Sequence, residues 1–291
     1  MAFKSGFIAI LGKPNVGKST LLNTILGQKI CIVSAKPNLT RKKILGIKNM
    51  ADAQLIFIDT PGIHLARGLL NKYLVKQAVD SWRDADVVLF IAEAHTPPAE
   101  ADRFALTTIK DISRPSLLVL NKIDLAGEDY LPQYESLFSF SDSVKISALT
   151  GFGIPGLLEM VAARLPDGPQ YFPEEMVTNE IERSLVAEIV REKVFELLHE
   201  EVPYAVAVLV DEFSEKTDKR ITYIAATIFV EKESQKGIVI GKGGALLKQI
   251  GQLSRAEIEE LIGERVFLQL WVKVEKNWRK EPASLRRLGF V

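Results

Sequence analysis

Near its start the chain runs FIAIL (7–11) straight into GKPNVGKST, Gly12 to Thr20. No other stretch restricts the fold as much. An apolar run of strand length feeds a loop holding two glycines and a proline, with a lysine and two hydroxyls where a helix must begin. The spacing fits G-x-x-x-x-G-K-[ST]. Glycines let a backbone wrap so that successive N–H groups point inward at an anion. The helix that follows opens with about half a positive charge and free N–H donors. Such a strand–loop–helix cradles a polyphosphate: Lys18 reaches the β- and γ-phosphates, Ser19 ligates magnesium and Thr20 serves the α-phosphate. Gly12, Lys13, Pro14, Asn15, Val16 and Gly17 form the wrap.

Up to about residue 165, apolar runs alternate with amphipathic stretches. QLIFID, DVVLFIA, SLLVLN and SVKIS read as further strands. Helices are expected over Ser19–Leu26, Leu69–Ser81, Ala99–Lys110, Tyr134–Phe140 and Ile154–Arg164. Runs apolar on both faces belong to a mainly parallel sheet covered by helices, so the expectation is a doubly wound α/β domain.

Three more segments follow predicted strands, at the carboxyl ends where open α/β sheets bind ligands. Asp59-Thr60-Pro61-Gly62, followed by Ile63, offers an acid that holds magnesium through water and a glycine N–H for a γ-phosphate. Asn121-Lys122-Ile123-Asp124 offers a carboxylate to the guanine N1–H and N2–H₂ edge. Adenine lacks that donor pair and would leave the charge unpaired, so Asp124 selects GTP over ATP. Ser147-Ala148-Leu149 offers the Ala148 N–H to the base.

In order and spacing these segments resemble those of translation-factor-type GTPases. The resemblance implies GTP and GDP with Mg²⁺ as ligands and hydrolysis of GTP to GDP and phosphate. It makes Thr40, in PNLTR, the switch threonine that joins Ser19 and Asp59 at magnesium in the triphosphate state. Lys18, Thr40 and Gly62 are then the catalytic set. Ras-like enzymes orient the attacking water with a glutamine after the DxxG glycine; here that position is Ile63, which cannot do so. Slow intrinsic hydrolysis is expected, accelerated by a partner or by potassium. In related GTPases an asparagine placed like Asn15 coordinates K⁺, standing in for an arginine finger worth up to roughly 10³–10⁵ in rate.

Residues 165–178, LPDGPQYFPEEMVT, hold three prolines and a glycine and read as a linker. A long helix follows, with Ile181, Leu185, Ile189, Val190, Val194 and Leu197 at helical spacing. Then come strands YAVAVLV and ITYIAATIFV joined by the polar loop DEFSEKTDKR, the segment IVIGKGG, a helix over Ala245–Ile262, and the strand VFLQLWVKV. The expected domains are 1–165 for nucleotide, 166–180 as linker and 181–291 as a smaller α+β domain. Gly241-Lys242-Gly243-Gly244 is a G-x-x-G opening a helix, the loop with which KH domains clamp about four single-stranded nucleotides. Lys242 adds charge, and Lys248 stands one turn on. Ile238 and Ile240 before the loop, with Leu247 and Ile250 after it, are expected to form an apolar platform under the bases.

Composition narrows the setting. The 291 residues carry 37 basic and 37 acidic side chains, but residues 181–215 hold nine acids against Arg183, Arg191 and Lys193. The last 21 residues hold Lys273, Lys276, Arg279, Lys280, Arg286 and Arg287 against Glu275 and Glu281. On charge alone this end reads as a solvated tail; beside a nucleic-acid groove it would serve phosphates. The lone cysteine, Cys31, excludes an intramolecular disulfide, fits a reducing compartment and reads as buried filler. The scattered His64, His95 and His199 argue against a structural zinc site. No run approaches the roughly 20 apolar residues of a membrane-spanning helix.

A GTP-binding domain, a Pro-rich linker and a KH type-2 domain with its G-x-x-G between two helices resemble the bacterial Era GTPases, down to the terminal NWR…LRRLGF. The resemblance implies binding near the 3′ end of 16S rRNA and a role in 30S subunit maturation. It also implies a cytoplasmic, monomeric protein with a peripheral contact to the membrane. An alternative class is an RNA-binding assembly factor for which nucleotide is a structural ligand with negligible turnover. Two departures from the family pattern touch the switches. Leu39 stands where a second threonine is usual, and HLARGLL after DTPGI lacks the usual His-Lys-Pro flavour.

Overall fold

A computed structural model describes the chain except residues 1, 35, 37, 38, 42, 65–67, 111, 112, 126, 180, 181, 217–220 and 291, and the side chains of 215 and 216. The chain divides into two compact units, the second beginning near residue 180.

In the first unit, the apolar runs form a six-stranded sheet of order β2-β3-β1-β4-β5-β6. Its strands are β1 (Lys4–Leu11), β2 (Ile44–Asn49), β3 (Ala53–Asp59), β4 (Val87–Glu93), β5 (Ser116–Asn121) and β6 (Asp142–Lys145). All pairings are parallel except β2 with β3. The runs lack polar alternation because both faces are covered. Ile8 and Ile10 enter one core, with Leu21, Leu22 and Leu157, while Ala9 and Leu11 enter another, with Ala78, Phe90 and Leu106. β3 and β5 bury every residue, as central strands must. The helices are α1 (Lys18–Leu26), α2 (Leu69–Arg83), α3 (Glu100–Thr108), α4 (Leu131–Glu135) and α5 (Ile154–Arg164). Cys31 is buried in the first core, as its apolar setting suggests.

Three sequence expectations need correction in this unit. ILGIKN, read as no element, is the antiparallel edge strand β2. The helix expected over Tyr134–Phe140 lies earlier, as α4. Pro132 suits a first turn, and the Leu131 N–H is taken by Asp129 Oδ1 at 3.1 Å. The Pro-rich stretch is a strap and not a free linker. Gly168 N–H donates to Phe3 O at 3.0 Å, Ile47 N–H to Val177 O at 2.7 Å, and Thr178 Oγ1 to Leu45 O at 2.7 Å. At its centre the fully buried Gln54 donates to Phe172 O at 2.8 Å and accepts from the N–H groups of Tyr171 and Phe172 at 2.8 and 3.0 Å.

In the second unit, α6 (Glu182–Leu197), α7 (Glu233–Ile240) and α8 (Ala245–Ile262) accompany a three-stranded sheet, β7 (Ala207–Lys216), β8 (Ile221–Val230) and β9 (Arg265–Val274), in that order. Ile181, expected in the long helix, lies outside the described residues. β7 and β8 are antiparallel, and β8 and β9 parallel. The core joins Val190 and Val194 of α6 to Ile224, Ile228, Ile250, Ile258, Val266 and Val272. The polar loop expected over 211–220 is shorter: β7 continues to Lys216 with a bulge between Val210 and Glu212, which shifts its facing residues by one.

The basic end is not a solvated tail. Trp278 is fully buried, stacks on Phe290 at 5.4 Å and donates its indole N–H to Ala205 O at 2.9 Å. Leu285 and Leu288, flanking the end of α9 (Pro282–Arg287), are buried with it. Arg279 pairs with Glu231 and Arg287 with Glu275, so two of the six cations are committed internally. Among the described residues no helix is long and apolar enough to cross a membrane.

Gln54→Ala is expected to destabilise the first unit by about 1–3 kcal/mol, because three strap contacts end on that amide. Urea unfolding should show it, and limited proteolysis should cut near Tyr171 first.

Candidate functional site

The four segments expected to hold nucleotide converge at one end of the six-stranded sheet, because each begins where a parallel strand stops: β1, β3 and β5, with the fourth just past β6. Three of them border a cleft of about 510 Å³ lined by Pro14, Asn15, Gly17, Lys18, Ser19 and Thr20, with Thr40, Gly62 and Lys122 across it. Gly17 takes φ 98°, a left-handed conformation favoured by glycine. A Cβ on it would lie 2.3 Å from Asn121 Nδ2. Gly62 presses on Pro14 so closely that a Cβ would meet three Pro14 atoms at 2.7–2.8 Å.

The three residues expected at magnesium stand together. Ser19 Oγ donates to Asp59 Oδ2 at 2.7 Å and lies 3.0 Å from Thr40 Oγ1. Asp59 is fully buried, and its Oδ1 has no hydrogen-bond partner. Burial drives its carboxyl above the usual carboxylate range against the opposing pull of Lys18 and the Ser19 hydroxyl. A small hard cation suits this set: hydroxyl and carboxylate oxygens, one lone carboxylate oxygen, and a cleft with room for phosphates and water. Lys18 is equally buried. Its amine donates to the carbonyls of Gly12 and Lys13 at 3.1 and 2.8 Å, and burial pushes it down to about 8.

Two residues beyond Lys122, outside the cleft's lining, Asp124 is exposed and its Oδ1 accepts from Ser147 Oγ at 2.5 Å, which fixes the carboxylate's direction. Leu149, two residues after Ser147, is 77% exposed.

Several expected residues turn their side chains elsewhere. Val16 and Ile63 are buried in the two cores. Thr60 donates to Ile10 O at 2.8 Å, and Pro61 is buried. Only the backbones of these four can serve a ligand. Lys13 points to Asp102 at 2.8 Å and Glu93 at 3.4 Å. Asn121 faces the protein, donating to Val16 O and accepting the Ala148 N–H, each at 2.8 Å. That N–H, expected at the base, is engaged by Asn121 here. Within HLARGLL, residues 65–67 lie outside the described set; so do 37 and 38 of PNLTR.

Sequence reasoning missed Glu93 and Asp102. Glu93 ends β4 beside the cleft and pairs with both Lys13 and Lys122. Burial raises its carboxyl, but the two lysines outweigh that and hold it below the usual range. The available signal was positional: Glu93 is the polar end of an otherwise apolar strand, at the sheet edge where the other motifs sit.

In the second unit, Lys242, Gly243 and Gly244 cross between α7 and α8, with Lys242 and Gly243 exposed. A second cleft, about 530 Å³, runs from Gly244 between α8 and β9. Leu247, Lys248, Gly251, Gln252 and Arg255 line its helix side, and residues 267–270 its strand side. The expected platform is only partly right. Leu247 lines the cleft, but Ile250 is fully buried in the core, Ile240 packs partly against that core, and Ile238 is exposed without lining the cleft. Sequence reasoning missed Gly251, Gln252 and Arg255, although their spacing of three, four and seven from Lys248 marks one helix face.

Residues 7–122 match the family model described as 50S ribosome-binding GTPase, and residues 201–279 the model described as KH domain. The chain is 49% identical to GTPase Era of Geobacter metallireducens over 293 aligned positions, covering 99% of this chain and 98% of that one. The chain belongs to the Era family of GTPases. GTPase Era of Geotalea uraniireducens is 50% identical, with 99% and 98% coverage. Two solved Era structures superpose with TM-score 0.95 at 40% identity and cover 99% of this chain. One is a variant of Aquifex aeolicus Era bound to GDP and AlF4⁻, covered over 100% of its length. The other is Era in complex with MgGDPNP and nucleotides 1506–1542 of 16S ribosomal RNA, covered over 99%. The Era architecture thus extends over both units of this chain.

Gly62→Ala is expected to lower GTP turnover at least about tenfold while GDP affinity stays within about threefold. The added methyl pushes the Asp59–Gly62 loop off Pro14 on the side expected at the γ-phosphate, and leaves the Asp124 end untouched. Single-turnover hydrolysis beside a fluorescent-GDP titration separates the two.

Proposed function

We propose that this protein binds GTP with Mg²⁺ in the first cleft, hydrolyses it slowly, and clamps single-stranded RNA near the 3′ end of 16S rRNA in the second, acting in 30S subunit maturation. One observation carries the reading: a cleft lined by the phosphate loop in one unit, and a cleft opening from a glycine turn in the other, stand in a chain that aligns with nearly the whole length of an Era relative. The nucleotide half assigns Lys18 and the wrap of Gly12–Gly17 to the phosphates, Ser19, Thr40 and Asp59 to Mg²⁺, and Asp124, Lys122 and Leu149 to guanine. Mg²⁺ held by Ser19, Thr40 and Asp59 would supply neutralisation of the charge that develops on the phosphates. Lys18 contributes a buried cation, and Thr40 links the switch segment to the ion site. The RNA half assigns backbone contact to Ile240, Gly241, Lys242, Gly243 and Gly244, and a phosphate to Lys248.

Slow turnover follows from Ile63, whose side chain lies in the core and carries no group to orient water. Asn15 is exposed on the nucleotide cleft with φ 66°, a conformation asparagine tolerates, and is assigned to K⁺. We assign the protein to the cytoplasm as a monomer. The exposed Lys276, Lys280 and Arg286 are the charges available for a peripheral membrane contact. Negligible turnover is the competing reading; the Era relative bound to GDP and AlF4⁻ favours hydrolysis.

Turnover measured in K⁺ and in Na⁺, with and without the 1506–1542 segment, tests both halves. K⁺ is expected to accelerate hydrolysis at least about tenfold, and the Asn15→Ala variant to lose that difference. The RNA is expected to add further acceleration in either salt. Equal rates in both salts with Asn15 intact remove the K⁺ assignment, and no measurable turnover under any condition leaves nucleotide as a structural ligand.

A further inference from the structure

β9 presents two different faces. Val266, Leu268, Leu270, Val272 and Val274 pack into the core of the second unit. The alternating set Arg265, Phe267, Gln269, Trp271 and Lys273 lies on the opposite face. Phe267 is 58% exposed and Trp271 54% exposed, a large apolar area for one strand face to leave in water. Tyr223 on β8 stacks on Phe267 at 5.7 Å and 12°, and its hydroxyl donates to Gln269 Oε1 at 2.6 Å, so the platform is ordered. Cations stand at both ends of the row, and β9 contains no acid. The carboxylates beside the row are engaged: Asp211 of β7 accepts from Thr227, the β8 residue paired with Trp271, and Glu275 pairs with Arg287, which lies over Phe229, the β8 residue paired with Lys273. β9 is also the open edge of the sheet, and Phe267 and Gln269 belong to the rim of the glycine-turn cleft as well.

We infer that this face is a second RNA site: the single strand held in the cleft continues round the edge of β9, where Phe267 and Trp271 each stack a base. Arg265 and Lys273 take its phosphates. The two rings are four residues apart, about 13 Å at strand rise, so they serve separate bases and do not clamp one. Stacking on aromatic rings needs no particular base, and cations with interleaved aromatics are the usual chemistry of a single-strand path. A protein partner would also cover aromatic rings; continuity with the cleft and the row's acid-free, doubly cationic character favour RNA. The inference rests on the RNA reading of the cleft.

The test titrates the 1506–1542 RNA segment against full-length protein by fluorescence anisotropy at several salt concentrations. Phe267→Ala with Trp271→Ala is expected to weaken binding about 10–100-fold with an unchanged salt slope, because phosphate contacts remain. Phe267→Tyr with Trp271→Phe is expected to restore affinity to within about threefold. Lys273→Ala is expected to reduce the salt slope by about one. Wild-type affinity in the double alanine variant overturns the second site and leaves the face to a protein. If the double alanine variant unfolds by circular dichroism, the aromatic swap and Lys273→Ala decide: swap affinity within threefold with a slope change supports the site, and an unchanged Lys273→Ala slope overturns it. Gly243→Asp with Gly244→Asp reports on the cleft separately: RNA binding unaffected by that pair sinks the cleft reading itself.

Discussion

One buried amide organises the nucleotide end of the molecule. Asn121 closes the central strand β5, and its side chain joins the two loops that a nucleotide has to span. Its Nδ2 holds the carbonyl of Val16 in the phosphate loop, and its Oδ1 holds the N–H of Ala148 in the loop after β6. Both bonds are buried, where an unmade partner is costly. The spacing between the phosphate loop and the loop after β6 is therefore set by the protein before any ligand arrives. Gly17 is part of the same arrangement, since only a residue without Cβ leaves room for that amide. Glu93 repeats the connection on the cleft's other side by pairing with Lys13 and Lys122. A pre-spaced cleft reduces the ordering cost of binding a long, charged ligand.

Legibility in the sequence followed burial. Strands covered on both faces, such as LIFID and SLLVLN, announce themselves because every residue must be apolar, and a glycine loop at a strand end is hard to produce for any other purpose. β2 was illegible because an antiparallel edge strand needs no such run, and ILGIKN interrupts its short apolar pattern with Gly46 and Lys48. The ion site was readable as residue types, Ser19, Thr40 and Asp59, but their convergence within hydrogen-bonding distance depends on the path between α1 and β2, where the sequence has no period. Asn121 was readable as part of a motif, yet its side chain serves the protein and not the base. Spacing alone cannot tell a strut from a ligand.

Two misread segments share a cause. The prolines of 165–178 suggest a linker, and the charge of 271–291 a tail. In both, average composition hides the few interactions that hold the segment. The strap is tied by backbone groups and by Gln54, a residue over a hundred positions earlier. The C-terminal segment is held by Trp278, Leu285, Leu288 and Phe290, four apolar anchors dispersed among cations, and by Glu231 and its own Glu275, which neutralise Arg279 and Arg287. Buried anchors spaced too irregularly for a helical or strand period escape pattern reading, yet three or four of them suffice to fix twenty residues.

The two glycine loops look alike in sequence and differ in what the glycines are for. In the first unit, Gly17 and Gly62 are crowded: an added Cβ would collide with Asn121 or with Pro14, so glycine is required by the protein's own packing. In the second, Gly243 and Gly244 have φ of 59° and 81° with nothing within 4 Å of a built Cβ. There the protein asks only for left-handed backbone, which asparagine also adopts. Gly241 at the start of the turn is crowded by Leu246, but the space kept clear at Gly243 and Gly244 serves no internal contact, so it is clear for something outside. Crowding identifies a loop whose shape the fold fixes, whereas an open, left-handed turn at the mouth of a cleft identifies one whose shape is completed by its ligand.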